Sequence, residues 1–575
     1  MKRISNVIVL ALAFISSSSI SPSFAAEPAF RAKSIGGPNS AVFFVEERTT
    51  ETRSLSTSSR MNFFERPWIQ NDPIPNIGDC RSTKDPDCDF SKMETGIASS
   101  VLGVCDSTIT INCIEGISFG SSRESLVPAK FTRYLASRSI PEDLDLNFYG
   151  GKTASIWSAE NAPNPSGANS YLVAPVVDFY IKYKESPKFR ATGFSVDITP
   201  FSTKFQNGLR PEEWKTQEQI VRENLGTTTP LRYLPKTQDG WDKSGDCFAS
   251  QIDQCLVQYD FPSPLVIQMK IRLSKELGGW FKGRMTDPVI NVENYDDKNN
   301  VITVTAKPIE VAQVAYAVDQ DKLSDSERSM IRRYAWGGTA EARRLVGPAA
   351  TGEGDRVFDY MNEARDLFKD RARGTTTFWN FGTVNAGSGS PCLADTSKVL
   401  GIVTTNAMGY QGTAPTFEQS TLAYRVVGPH FMPDGVTEVR GTYDLVMKSE
   451  VARCLYNFSN APISATISIT SGNGEAAVAT TTISEENGWL KLGAYNFTFS
   501  SPTLKVKLTQ KPVVVPQIEA PKTENIQIEK TTEASQAAEP KVTVVKKKQI
   551  TCVKGKITKK ISGVNPKCPT GFKKK

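Results

Sequence analysis

Apolar and polar residues alternate with a period of two through most of the chain. The stretches Thr108-Ile-Thr-Ile-Asn112, Tyr171–Tyr183, Phe194-Ser-Val-Asp-Ile198, Leu265–Leu273 and Val301-Ile-Thr-Val-Thr305 all follow this pattern. It predicts strands with one buried face. Ala41-Val-Phe-Phe-Val-Glu-Glu47 predicts another strand. Asn294–Asn300 has the composition of a hairpin connection, and Pro67–Asp89 reads as loop. Residues 26–312 are therefore expected to form a β-rich N-terminal region, a sandwich or open barrel with one or two sub-domains.

Between 313 and 375 the period becomes helical. Ser324 or Ser326 is placed to cap a helix running through Ile331 and Tyr334. Thr339–Val346 predicts a short helix stopped by Gly347-Pro348. Asp355–Arg373 is the clearest helical pattern: Val357, Tyr360, Met361, Ala364, Leu367 and Phe368 share a stripe, with Gly374 as the stop. This segment reads as a helical insert, either covering a sheet face or forming a lid over a groove.

From 376 to 509 the period of two returns. Strands are expected at Val399–Thr404, Leu422–Val427, Gly441–Met447, Ala465–Thr470, Val478–Ser484, Leu490–Phe499 and Thr503–Leu508, as in an antiparallel sandwich. Ser471-Gly-Asn-Gly474 is a turn signal between two of them. Residues 510–548 contain Pro, Glu, Thr, Lys and Ala but no aromatics, and read as an extended, disordered linker. Residues 549–575 form a small cysteine-containing module. The expected fold class is mainly β, a multi-domain β-sandwich architecture with a small helical insert, a flexible linker and a small C-terminal disulfide module.

The N-terminus carries the features of an export signal. Lys2 and Arg3 precede the apolar run Val7–Ile15, and Ser23-Phe-Ala25 is a small-x-small cleavage site, so residues 1–25 read as a signal peptide. The ten cysteines agree with an oxidising compartment. Cys80/Cys88, Cys105/Cys113 and Cys247/Cys255 share one spacing, while Cys392/Cys454 and Cys552/Cys568 make up the rest. Local pairing in that order is the simplest connectivity. Zinc sites favour shorter cysteine spacings and histidine partners.

The formal charge of +7 conceals two opposite halves. Lys541–Lys575 contains 12 lysines and no acid, and the remaining 56 Lys and Arg face 61 Asp and Glu. The body is mildly acidic and the tail is a polycation, so the two are expected to have different partners. Within the tail, Lys546, Lys547, Lys548, Lys554, Lys556, Lys559, Lys560, Lys573, Lys574 and Lys575 are the candidate contacts for anionic cell-wall polymers or surface glycans. Such polymers lie outside the cell, are polyvalent and need no precise geometry. An exported protein seldom meets nucleic acid, and the tail has one aromatic residue, Phe572, for stacking. No later apolar run reaches transmembrane length.

Motifs for chemistry are sparse. His430 is the single histidine, so any Ser-His-Asp or Cys-His device must use it; the plain reading is a loop histidine. Asp85-Pro-Asp-Cys-Asp89 begins like a calcium loop, but Phe90 stands where a glycine should follow and Gly96 where an acid should close it. Calcium is thus a possible ligand here, and no other cofactor is expected. Asp296-Asp297 is a weaker candidate. Glu160 near Trp157 and Asp242 beside Trp241 would be carboxylates for glycoside hydrolysis if two of them faced each other. Trp241, Trp280 and Phe281 are candidate sugar-stacking platforms, with core packing as the alternative.

Two stretches bear a resemblance. Ile550-Thr-Cys-Val-Lys-Gly-Lys556 with Asn565-Pro-Lys-Cys-Pro-Thr-Gly-Phe572 resembles a short C-terminal module of many exported actinobacterial proteins. Gly441-Thr-Tyr-Asp-Leu-Val-Met447 with Val451-Ala-Arg-Cys-Leu-Tyr456 resembles a domain found beside that module. The resemblance covers the last third of the chain. It implies secretion and surface retention of a protein of uncharacterised function, and it carries over no functional residues. The expectation is a secreted, cell-envelope-associated, non-catalytic surface, adhesion or binding protein. The alternative is an extracellular carbohydrate-active enzyme with its site in the N-terminal β region.

Overall fold

The computed structural model describes residues 27–30, 40–44, 59–64, 78–85, 94–137, 139–182, 185–207, 236–237, 240–241, 247–251, 253–334, 345–346, 351–352, 356–384, 390–395, 397–459, 463–470, 479–499, 503–510, 548–554, 557–563, 568 and 572–574. The chain divides into two units, Met1–Val513 and Val514–Lys575.

The larger unit is mainly β. Its principal strands are β1 (Arg60–Phe64), β2 (Thr95–Val101), β3 (Cys113–Gly120), β4 (Ser170–Lys182), β5 (Ser186–Phe205), β6 (Val266–Ser274), β7 (Gly279–Arg284), β8 (Thr286–Asn294) and β9 (Asn299–Lys307). They continue with β10 (Gly374–Val384), β11 (Val399–Thr405), β12 (Thr421–Val427), β13 (Gly441–Lys448), β14 (Ile463–Thr470), β15 (Thr480–Glu486), β16 (Trp489–Phe497) and β17 (Thr503–Gln510). The helices described are α1 (Asp325–Tyr334), α2 (Arg356–Glu363), α3 (Arg365–Phe368) and α4 (Ser449–Tyr456).

One large sheet organises the unit. Beyond the short strand Gly78–Asp79, its path runs β1-β2-β4-β5-β10-β7-β11-β13-β16-β15. A second sheet orders β8-β9-β6-β3, and a third contains β12-β17-β14. The two small sheets share no core. Trp280 and Phe281 show why: they are adjacent on β7 and both fully buried, yet they belong to different apolar clusters. Successive strand residues point to opposite faces, so the large sheet is covered on both sides around β7. Phe281, Trp379, Ile402 and Val446 pack toward β3, β6 and β9. Trp280, Phe378, Val403 and Leu445 pack toward the helices and the third sheet. All seven residues of β11 are buried. A strand covered on both faces loses its alternation and reads as a continuous apolar run, as Val399-Leu-Gly-Ile-Val403 does.

The large sheet also joins stretches expected to fold apart. β10 lies between β5 and β7, and β7 pairs in parallel with β11. The boundaries expected at 312 and 375 therefore fall inside one hydrogen-bonded sheet. The close approach of β7 and β11 relies on Gly401, where a Cβ would sit 2.5 Å from the Trp280 ring.

All seven strands expected after residue 398 are present, with ends shifted by a few residues. Ser324 caps α1 as a capping box: its Oγ accepts from Glu327 N, and Glu327 Oε2 accepts from Ser324 N. Thr108–Asn112 is not a strand. Asp106 Oδ1 folds it into a turn by accepting from Thr108 N and Ile109 N within the Cys105–Cys113 loop, and the strand begins at Cys113. The helix expected over Asp355–Arg373 is broken at Ala364, and it stops at left-handed Lys369 and Asp370 rather than at Gly374, which begins β10. Leu345–Val346, expected in a helix, is a short strand parallel to Ala41–Val42. The rest of that expected helix lies outside the described residues, as do the signal peptide, the Ser471–Gly474 turn and most of the linker.

Cys105–Cys113, Cys247–Cys255 and Cys392–Cys454 are disulfides. Cys80 and Cys568 are also disulfide-bonded. Cys88 lies outside the described residues.

The smaller unit contains a three-stranded sheet: β18 (Lys548–Lys554) in the middle, flanked by β19 (Ile557–Gly563) and β20 (Lys573–Lys574).

Candidate functional site

Of the candidate stacking platforms, Trp280 and Phe281 are withdrawn. Both are fully buried, one in each core, so neither offers a face to a sugar. Gly240–Trp241 forms a short strand with Lys236–Thr237, and the Trp241 side chain and Asp242 lie outside the described residues. Glu160 is exposed and accepts from Ser158 Oγ at 2.9 Å. Its neighbour Trp157 is buried against Phe131 and donates Nε1–H to Ser155 Oγ. Of the acidic run at 85–89, Asp85 is described; its carboxylate accepts from Arg81 N at 2.7 Å. Asp296 caps the β8–β9 turn by accepting from Lys298 N and Asn299 N. No group of three metal-ligating side chains occurs among the described residues.

His430 sits in a clasp. Its Nδ1 pairs with the Asp370 carboxylate, and its backbone N–H donates to Asp370 Oδ1 at 3.1 Å. Arg365 Nη1 donates to the same Oδ1 at 2.5 Å. The left-handed turn after α3 aims Asp370 at the 428–439 loop. Burial works against the Asp370 charge, but the His430 hydrogen bond and Arg365 outweigh it and hold the carboxyl below its usual range. Backbone bonds Phe431 N to Asp370 O and Ala372 N to Phe431 O complete the attachment. The clasp ties the helical segment to the sandwich loop, a structural role for the histidine.

A second charged cluster had no sequence signal beyond one acid in an apolar strand. Asp444 on β13 is almost fully buried. Its Oδ1 accepts from the Tyr495 hydroxyl at 2.5 Å, and its Oδ2 from Asp287 N at 3.1 Å and Thr286 Oγ1 at 3.4 Å. Tyr495 reaches it because the paired residue, Gly493, has no Cβ: one there would lie 2.5 Å from the Tyr495 oxygen. Burial pushes the Asp444 carboxyl up, against the Tyr495 and Asp287 hydrogen bonds. Asp287, at positive φ, pairs with Lys491, Arg123 and Lys307. Burial opposes its charge too, but Lys491 and Arg123 prevail and keep its pKa below the usual value. The cluster links the second sheet to the far end of the large one. It places one buried acid beside one ionised acid, a contrast also used in acid–base sites.

In the smaller unit the register sets lysines in cross-strand rows. Cys552 opposes Lys559 on one side and Lys574 on the other, and Val553 opposes Thr558 and Lys573. Lys560 opposes Thr551. Lys573 and Lys574 are exposed. Lys546, Lys547, Lys556 and Lys575 lie outside the described residues.

No protein-family model matches the chain, and no curated protein matches it. No described helix is long and apolar enough to cross a membrane.

Proposed function

We propose that this is an exported, non-catalytic surface or binding protein, retained at the cell envelope by its lysine-rich C-terminal unit. The observation that carries the reading is the β18–β20 sheet. It lies in a separate unit whose last stretch, Lys541–Lys575, holds 12 lysines and no acid. Its register sets Lys559 and Lys574 in one row across Cys552, with Lys560 and Lys573 in the rows on either side. A small sheet studded with cations suits a repeating anionic polymer, because many weak ion pairs add without a shaped pocket. The export-type N-terminus and the disulfides support an extracellular setting. In the body, the aromatic side chains at Trp280 and Phe281 serve the core.

The test compares the full mature chain with one ending at Lys541 on purified cell walls across a salt series. The full chain is expected to bind and to lose more than about tenfold in affinity from low to high salt, as polyion contacts do. The shortened chain is expected to lose that binding. Binding unchanged by truncation, or indifferent to salt, overturns the reading.

A further inference from the structure

We propose that β15 is a self-association edge, through which two copies of the chain pair antiparallel about a twofold axis at Ile483. β15 is the last described strand on this side of the large sheet. Its inner side pairs with β16 from Thr480↔Tyr495 to Glu486↔Trp489 without a register shift. No described strand pairs with its outer side. Every second residue thus directs a backbone N–H and C=O outward, a ready template for another strand.

Natural edges are blunted by charged side chains, proline, bulges or a covering element; here the charges, Glu485 and Glu486, are confined to one end. Thr480-Thr-Thr-Ile-Ser-Glu-Glu486 has no proline or lysine, four of its seven residues are β-branched, and all seven are exposed. At its far end the Glu485 carboxylate, on the same face as Ile483, is tied to Arg453 of α4 at 2.6 Å, so the approach narrows there. Ile483, 41% exposed, lies directly across from fully buried Leu492, so it marks the lip of the sandwich core. Opposed to its own copy, it would continue that apolar row across the axis.

Charge bears on the direction mainly through Glu486, because Glu485 is already paired with Arg453. In the antiparallel pairing centred on Ile483, Thr480 opposes Glu486, Thr481 opposes Glu485 and Thr482 opposes Ser484. No like charges meet. Parallel addition in register would stack Glu486 on Glu486, which is unfavourable, and would bring together the two Glu485 carboxylates, each paired with its own Arg453. The antiparallel arrangement is isologous and closes at two copies.

Sedimentation velocity of the full mature chain over a concentration series tests this. A monomer–dimer equilibrium is expected. Ile483→Lys puts two ammonium groups on the axis and should weaken association by more than about tenfold. Thr480→Lys places a lysine opposite Glu486 of the second copy and should tighten it by roughly two- to fivefold. Both positions are exposed, and an unchanged circular dichroism spectrum verifies folding. A chain that stays monomeric throughout, including one whose edge takes up a different extended peptide, overturns the proposal. So does a dimer that neither variant affects.

Discussion

Asp444 is a carboxyl group held where an ionised acid is costly, and the Tyr495 hydroxyl is its nearest compensation. Its folded pKa lies above 3.8, so the folded chain holds this proton to a higher pH than the unfolded chain does. Below 3.8 the folded and unfolded chains both hold the proton, and Asp444 costs nothing through linkage. As pH rises to the folded pKa the cost grows, and beyond it stays constant. Tyr495→Phe removes a donor that favours the ionised form. It should destabilise the body by about 1–3 kcal/mol near neutrality and by less at about pH 4. Denaturant titrations at the two pH values check this, and an equal loss at both would refute it. Asp287 behaves oppositely: its lowered pKa contributes stability that is lost as pH falls through that pKa. Trp280→Ala, which empties a fully buried site, should cost about 3–5 kcal/mol by the same titration. A loss below about 1 kcal/mol would mean that the side chain is not core. The sequence marks Trp280 and Phe281 as notable but leaves open whether their strand has a wet face. The apolar run of β11 was the available clue that it does not. The pairing of Asp444 with Tyr495, 51 positions away, follows from β13–β16 register, which composition does not encode.

Elements were legible where a local rule sufficed. The Ser324–Glu327 capping box and the alternating strands after residue 398 are cases in which neighbouring residues determine the outcome. Asn487-Gly488 is a turn signal of equal quality. Both residues have positive φ (51° and 76°), joining β15 to β16 in a two-residue hairpin. The strand expected over Leu490–Phe499 starts just after it and leaves the turn unmarked. Gly488→Ala should cost about 1–2 kcal/mol, because alanine is strained at that φ although space is open around it. A neutral result in thermal denaturation would show that the turn relaxes. α4 was also missed: its eight residues place Cys454 where a helix, not a strand, reaches Cys392. That disulfide closes the longest loop among the described pairs, with a separation of 62 residues. Replacing both cysteines by serine should lower stability by about 4 kcal/mol on the loop-entropy account. The same change at Cys105 and Cys113 should cost about 2.5 kcal/mol. Comparing the two double variants under oxidising conditions tests the ranking; the reverse order would place the effect in native-state strain.

At the scale of the whole molecule, the large sheet decides where the chain can be cut. Hydrophobic periodicity suggests a β region to 312, a helical piece and a sandwich from 376, because period is a local property. The sheet is not local. β10 supplies the only described partner lying between β5 and β7, and β11 covers the other side of β7. A fragment of residues 26–312 would leave the edges of β5 and β7 unpaired there and Trp280 outside its core. Exposed edges and a bared aromatic face favour aggregation over folding. Such a fragment should therefore fail to reach native packing, with little near-ultraviolet dichroism and rapid proteolysis. Residues 26–513, which keep the whole sheet, should show a cooperative transition. Co-expressing 26–312 with 313–513 should restore protease resistance, because the missing strands are supplied in trans. A fragment of 26–312 that folds cooperatively by itself would show that the N-terminal strands can close without β10, contrary to the continuity of the large sheet.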